Sequence, residues 1–383
     1  MARETRETRE RHEMGRSRFL IHLFASFACF AGLLSVRADE PFFKKGDVIA
    51  LVGGEDMVAL SEYGYLELLL TRALPEHRLK FRNLAWEGDT VFEQRRDLNF
   101  PTWEQALDQI GATVVICQFG QMESLAGKEK LPEFVAAYEK LIGRFTGGGK
   151  RRVILLSPGE LEAMTPSDWL FIQARQSIRD DYVQSIRKLA SQSEGRMEIS
   201  PANQPRLTRK TNPRSETALD GSVFPTPVEG KNPLNLYTGV DLVPRGGFRS
   251  TEDMSARTRD GLHANYYGHL LIAEAIGWKT SDVIPLAVLG RDAANHEALT
   301  PRHIESFRQL IIAKNRLWFD YWRVQNWAFL AGDRTEQPSS RDHLDRTKRW
   351  FPEERERFLP LIEKKEQEIA DLAAKLAKGS DSK

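Results

Sequence analysis

Cysteine is nearly absent from this chain: its 383 residues hold two, Cys29 and Cys117. Two thiols cannot staple a loop-rich scaffold, so the fold has to rest on a buried apolar core. Cys117 sits inside the apolar run TVVICQF and is expected in that core, not as a nucleophile. An excess of one charge is also missing. The 55 Lys and Arg are matched by 54 Asp and Glu, which leaves no footprint for nucleic acid or an anionic membrane surface. The 8 histidines are scattered, without the Cys or carboxylate spacing of a metal site. GGGKRR at 147–152 lacks the upstream glycine and the hydroxyl of a phosphate loop. No metal and no cofactor is therefore expected.

Long apolar runs are missing too, with one exception at residues 19–36, FLIHLFASFACFAGLLSV. A basic stretch from Met14 to Arg18 precedes it, and Val36-Arg37-Ala38 follows with the small residues of a cleavage site. Residues 1–38 are read as a secretory signal whose true start is Met14, which predicts a secreted or periplasmic protein with no stable membrane insertion. The other reading is an uncleaved membrane anchor, for which the run is just long enough.

From about residue 47 to 202, short β-branched runs alternate with amphipathic ones. GDVIALVGG, LKFRNLAWEGD, ATVVICQFG, RRVILLSPG and RMEISPAN read as strands, with helices between them. This order predicts an α/β fold with a doubly wound parallel sheet, whose ligands sit beyond the carboxyl ends of the strands. Gly53, Gly88, Gly120 and Pro158 fall at those ends. The domain is expected over 41–290, with an irregular Pro- and Gly-rich insertion at 203–257.

Two further segments follow. An aromatic-rich helical segment at 300–332 carries Trp318, Phe319, Tyr321, Trp322 and Trp327, which would pack on the domain or form a carbohydrate platform. A charged amphipathic helix at 350–380 has an apolar seam of Phe358, Ile362, Ile369, Leu372 and Leu376, suited to self-association or a partner helix.

Four short motifs occur in a telling order: Gly53-Gly54-Glu55 after the first strand, Gly88 in NLAWEGD, Gly120-Gln121-Met122-Glu123-Ser124, and Asp260-Gly261-Leu262-His263. Singly they are bland. Two glycines permit a tight turn, and Glu55 and Asp56 suit a first helical turn. In this order, over about 46–278, the chain resembles the SGNH or GDSL hydrolases, and KNRLWFDYWRVQNWAFL is similar to the tail of secreted planctomycete and verrucomicrobial members. The resemblance implies a flavodoxin-like three-layer α/β/α sheet with a C-terminal helical extension. It also implies hydrolysis of a carbohydrate or lipid ester.

The family's mechanism needs a serine nucleophile, an oxyanion hole, and a histidine base oriented by an aspartate three residues earlier. By the resemblance His263 is the base, Asp260 its orienter and Gly88 an oxyanion donor, with Gln121 and Glu123 beside the substrate. Glu55 replaces the serine and Met122 replaces the oxyanion asparagine. Without the serine no acyl-enzyme forms, and losing the amide donor costs roughly 3 kcal/mol of transition-state stabilisation. Three readings stay open: an enzyme using water on Glu55 and His263, helped by Glu123 or Glu160; a non-catalytic binder of glycan or peptide; an envelope scaffold. A small ester or a carbohydrate is the expected ligand.

Overall fold

In the computed structural model, residues 42–192, 196–199, 257–281 and 302–380 are described. The expected leader at 1–38 and all but Arg257 of the expected insertion at 203–257 lie outside them. Five strands form one parallel sheet: β1 (Val48–Gly53), β2 (Lys80–Asn83), β3 (Val114–Gln118), β4 (Arg152–Leu156) and β5 (Arg196–Ile199). Their order is β2-β1-β3-β4-β5, the flavodoxin-like arrangement expected from the sequence.

Between and after the strands run α1 (Glu55–Tyr63), α2 (Tyr65–Ala73), α3 (Trp103–Gln109), α4 (Gln121–Leu125), α5 (Leu131–Thr146) and α6 (Trp169–Ser191). They are followed by α7 (Tyr266–Ser281), α8 (Arg302–Trp322), α9 (Trp327–Leu330), α10 (Trp350–Glu356) and α11 (Phe358–Ser380).

The three inner strands β1, β3 and β4 are largely apolar because both faces of the sheet are covered there, whereas the edge strands β2 and β5 carry charged residues. Ala50, Val52, Val115, Cys117, Val153 and Leu155 pack with Trp103, Phe134, Tyr138, Tyr182 and Ile186 from α3, α5 and α6. The alternate residues Ile49, Leu51, Val114, Ile116, Ile154 and Leu156 are equally buried. Cys117 is a core residue whose Sγ lies 3.4 Å from Tyr138 Oη, and burial pushes its thiol up to about 12.

Local chemistry sets the element ends. Thr102 and Gln105 form a reciprocal capping box at the start of α3. Gly64, with its left-handed backbone, ends α1 and redirects the chain into α2. β2 stops at Asn83 because the Asn83 amide turns back to donate to Met57 O at 2.7 Å and Ser61 Oγ at 2.7 Å on α1.

The C-terminal helices join the same core. Trp318, Tyr321, Trp322 and Trp327 are buried, so the aromatic stripe is packing and not an exposed platform. α8 lies along α11, whose seam residues Ile362 and Ile369 are buried within the chain. A fully buried ion pair, Lys314 Nζ to Glu67 Oε2 at 2.8 Å, locks α8 to α2. Burial raises the Glu67 carboxyl, and the ammonium of Lys314 opposes that rise. Among the described residues no helix is long and apolar enough to cross a membrane.

Candidate active site

In a sheet of this order the crevice opens where the chain reverses direction, between the carboxyl ends of β1 and β3. A cleft of about 170 Å³ lies there, lined by Glu55, Gly88, Gln121, Met122 and His263 among others. Residues remote in sequence thus meet at one mouth.

Gly53 makes the turn from β1 possible. Its φ is +142°, and a Cβ there would come within 2.4 Å of Gln118 O and 2.8 Å of Met57 Cγ. Gly54 then caps α1 and leaves Glu55 as the first helical residue, half-exposed over the cleft.

The opposite wall is the loop before α7. Asp260 Oδ1 accepts the Leu262 N–H at 2.9 Å and the His263 N–H at 2.7 Å, a turn built on its own side chain. Asp260 Oδ2 lies 2.7 Å from His263 Nδ1. Burial would raise the Asp260 carboxyl, yet the His263 and Leu262 N–H groups and the imidazole together hold it below the ordinary range. Gly261 permits the turn with φ +86°, since a Cβ would meet Glu162 O at 2.7 Å. Glu162 clamps the loop from below by accepting the Thr258 N–H at 2.9 Å and the Thr258 hydroxyl at 2.7 Å.

His263 Nε2 faces Glu55 Oε2 at 3.3 Å. The other Glu55 oxygen accepts from Arg259 Nη2 in a close ion pair. Both ring nitrogens of His263 therefore face carboxylates, and among the described residues no hydroxyl stands against the imidazole. Asp56, next to Glu55, is buried and accepts the Ala264 N–H at 3.0 Å, tying α1 to the residue after His263. Burial drives its carboxyl up to about 6, against the pull of the Ala264 N–H and His263.

The remaining sequence-derived positions divide. Gly88 lines the cleft, and its N–H meets no acceptor among the described residues. Met122 is 46% exposed in the cleft lining and offers a thioether at the position where the resemblance implies an amide donor. Gln121 donates from Nε2 to Leu262 O at 2.8 Å, so it braces the histidine loop, while its buried Oε1 has no partner. Glu123, buried in the cleft lining, accepts the Gly120 and Val91 N–H groups, each at 2.8 Å, and so braces the floor. Glu160 lies outside this cleft, paired with Arg257 at 3.4 Å beside a separate small cavity.

Arg259 was not legible as a site residue, although it directly precedes the Asp260 motif. Its role depends on a contact across the cleft that local sequence cannot encode. Asp56 was likewise hidden, because a helical N-terminal acid has an ordinary explanation in the helix dipole.

No family model matches the chain, and no curated protein does. Similar solved structures exist. An acetylxylan esterase from Geobacillus stearothermophilus is 16% identical, covering 66% of this chain and 98% of its own, with a TM-score of 0.40. A gut microbial diltiazem-metabolizing enzyme is 11% identical, covering 88% and 95%, with a TM-score of 0.48. A carbohydrate acetylesterase from Sinorhizobium meliloti is 12% identical, covering 62% and 99%, with a TM-score of 0.35. These are likenesses of fold.

Proposed function

We propose that this chain is an exported protein of SGNH or GDSL ester-hydrolase lineage whose cleft binds a hydroxyl-rich ligand, such as a glycan, without forming an acyl-enzyme. One observation carries the reading: Glu55, at the position where the resemblance expects a nucleophile, meets His263 with one oxygen and Arg259 with the other. A carboxylate attacking an ester would form an anhydride more labile than the ester itself. Its charge would also repel a developing oxyanion, and Met122 supplies no donor to offset it. Export rests on the apolar run at 19–36 and its cleavage-like end.

Carboxylate, imidazole and guanidinium around a small cleft suit the hydroxyl groups of a sugar, each able to donate and accept. Ligands selected on a glycan array and measured by calorimetry test this. Glu55→Ala should weaken binding about tenfold, the loss of one charge-assisted hydrogen bond. A folded wild-type protein that takes no glycan, with Glu55→Ala equally silent, overturns the reading.

The free Gly88 N–H and the intact Asp260–His263 pair favour one alternative, direct hydrolysis by water. There Glu55 would take the proton of the attacking water, and His263 would protonate the departing alkoxide. The engagement of Glu55 by Arg259 weighs against it, since a paired carboxylate is a poorer base. Hydrolysis of aryl acetates that vanishes in His263→Ala would establish this alternative.

A further inference from the structure

The Glu55–His263 cleft is rich in acceptors and in negative charge. Its lining holds the carboxyl groups of Glu55, Asp56, Asp89 and Glu123, and among the described residues no Lys or Arg. Arginines outside the lining match two of them. Arg259 pairs with Glu55, and Arg96 donates to both Asp89 oxygens, at 2.8 Å and 2.6 Å. Glu123 spends its two oxygens on backbone N–H groups. Asp56 meets neither an Arg nor a Lys. Its Oδ1 accepts the Ala264 N–H, and its Oδ2 has no donor among the described residues.

A second acceptor in the lining is vacant, and it is neutral. Gln118 is 5% exposed and donates from Nε2 to Ser157 O at 3.3 Å. That bond fixes which way the amide points. Its Oε1 has no donor among the described residues, yet it is not sealed from solvent, and Gln118 lines this cleft. Gln118 pairs with Gly53 across β1 and β3, three residues before Asp56, so the two acceptors rise from neighbouring strand ends.

A buried carboxylate without a cation and a buried carbonyl without a donor call for a ligand that donates hydrogen bonds and carries positive charge. Among the described residues no three His, Cys, Asp or Glu side chains are placed to hold a metal ion, which favours an organic ammonium. An enclosed space of about 150 Å³ holds a benzene ring, so a cleft of about 170 Å³ admits one sugar ring. The Gly88 N–H remains for a ring hydroxyl. Resting on the reading of the cleft as a binder of hydroxyl-rich ligands, we infer that its ligand is an amino sugar, whose ammonium donates to Gln118 Oε1 and is neutralised by the Asp56 carboxylate.

Calorimetric titration of the full chain at neutral pH with glucosamine, glucose and N-acetylglucosamine tests this, beside thermal melts that verify folding. Glucosamine should bind about tenfold more tightly than either neutral sugar, the difference between a charged and a neutral donor. Asp56→Asn keeps an oxygen for the Ala264 N–H and should erase most of that preference. Gln118→Met removes the carbonyl and should weaken glucosamine by about fivefold. Equal or tighter binding of glucose or N-acetylglucosamine would overturn the inference while leaving the glycan reading in place. Saturable calcium binding lost in Asp56→Asn, with glucosamine no better than glucose, would overturn it in favour of a metal ion. A folded protein that binds none of the sugars would overturn both the inference and the reading beneath it.

Discussion

His263 Nε2 lies 3.3 Å from Glu55 Oε2, while its Nδ1 lies 2.7 Å from Asp260 Oδ2. The imidazole is thus held between two carboxylates at the mouth of the cleft. Arg259 completes the arrangement by pairing with the outer oxygen of Glu55. The consequence is chemical: among the described residues no hydroxyl stands against the imidazole, and the carboxylate beside it is already engaged.

The first expectation concerns ordinary turnover. Wild-type protein and His263→Ala should hydrolyse aryl acetates at the same background rate, because no acyl transfer runs through the imidazole. A rate that falls by roughly a hundredfold in the variant would instead be the mark of general base catalysis.

Asp56 provides a pH signature. Its carboxyl binds a proton more tightly in the folded protein, at about 6, than at its ordinary value of 3.8. Its contribution is therefore most favourable below 3.8, declines as pH rises towards 6, and stays unfavourable above that. A shift of this size corresponds to roughly 3 kcal/mol between the two limits. Asp56→Asn keeps an oxygen for the Ala264 N–H and removes the buried charge. It should raise the chemical-denaturation stability at pH 8 by up to about that amount, and the gain should vanish near pH 3.5. Equal stability of the two proteins at pH 8 would contradict this.

The two ion pairs singled out above should behave differently. Arg259 and Glu55 are 40% and 39% exposed, so Arg259→Ala should cost no more than about 1 kcal/mol of stability. Lys314 is wholly buried against Glu67. Lys314→Met strands that carboxylate and should cost about 3–5 kcal/mol, whereas adding Glu67→Leu should recover most of the loss. Urea melts of the three variants decide the matter, and a double variant no better than Lys314→Met alone would refute the argument.

Much of the fold was legible because its signals are local. VIALVG and VVICQ are apolar without alternation, as strands buried on both faces must be, and Gly53 and Gly120 mark their ends. The Asp260–His263 pair was legible for the same reason: three residues apart, one turn holds both. Less visible was anything set by contact across the molecule. Glu123 reads as a site residue and lines the cleft, but that both of its oxygens accept backbone N–H groups of the floor could not be read from the sequence. Gln121 reads as a ligand contact and does line the cleft, but its amide nitrogen is committed to Leu262 O, which the sequence could not show. The aromatic stripe of α8 admitted either packing or a platform, and only its neighbours in α11 and the sheet decide for packing. Arg259 is a further case, since nothing near it announces Glu55 as its partner.

The central proposal is that the cleft descends from a serine-hydrolase site in which Glu55 and Met122 replace the nucleophile and an oxyanion donor. Glu55→Ser with Met122→Asn restores both, placing a hydroxyl opposite His263 and an amide beside the Gly88 N–H. A fluorophosphonate probe reports the outcome, since an activated serine oxygen displaces fluoride from phosphorus and leaves a covalent adduct visible by intact-protein mass spectrometry. The account predicts one adduct on Ser at position 55 in the double variant, lost when His263→Ala is added, and none on the wild-type protein. An adduct on a different residue of the wild-type protein, dependent on His263, would contradict it.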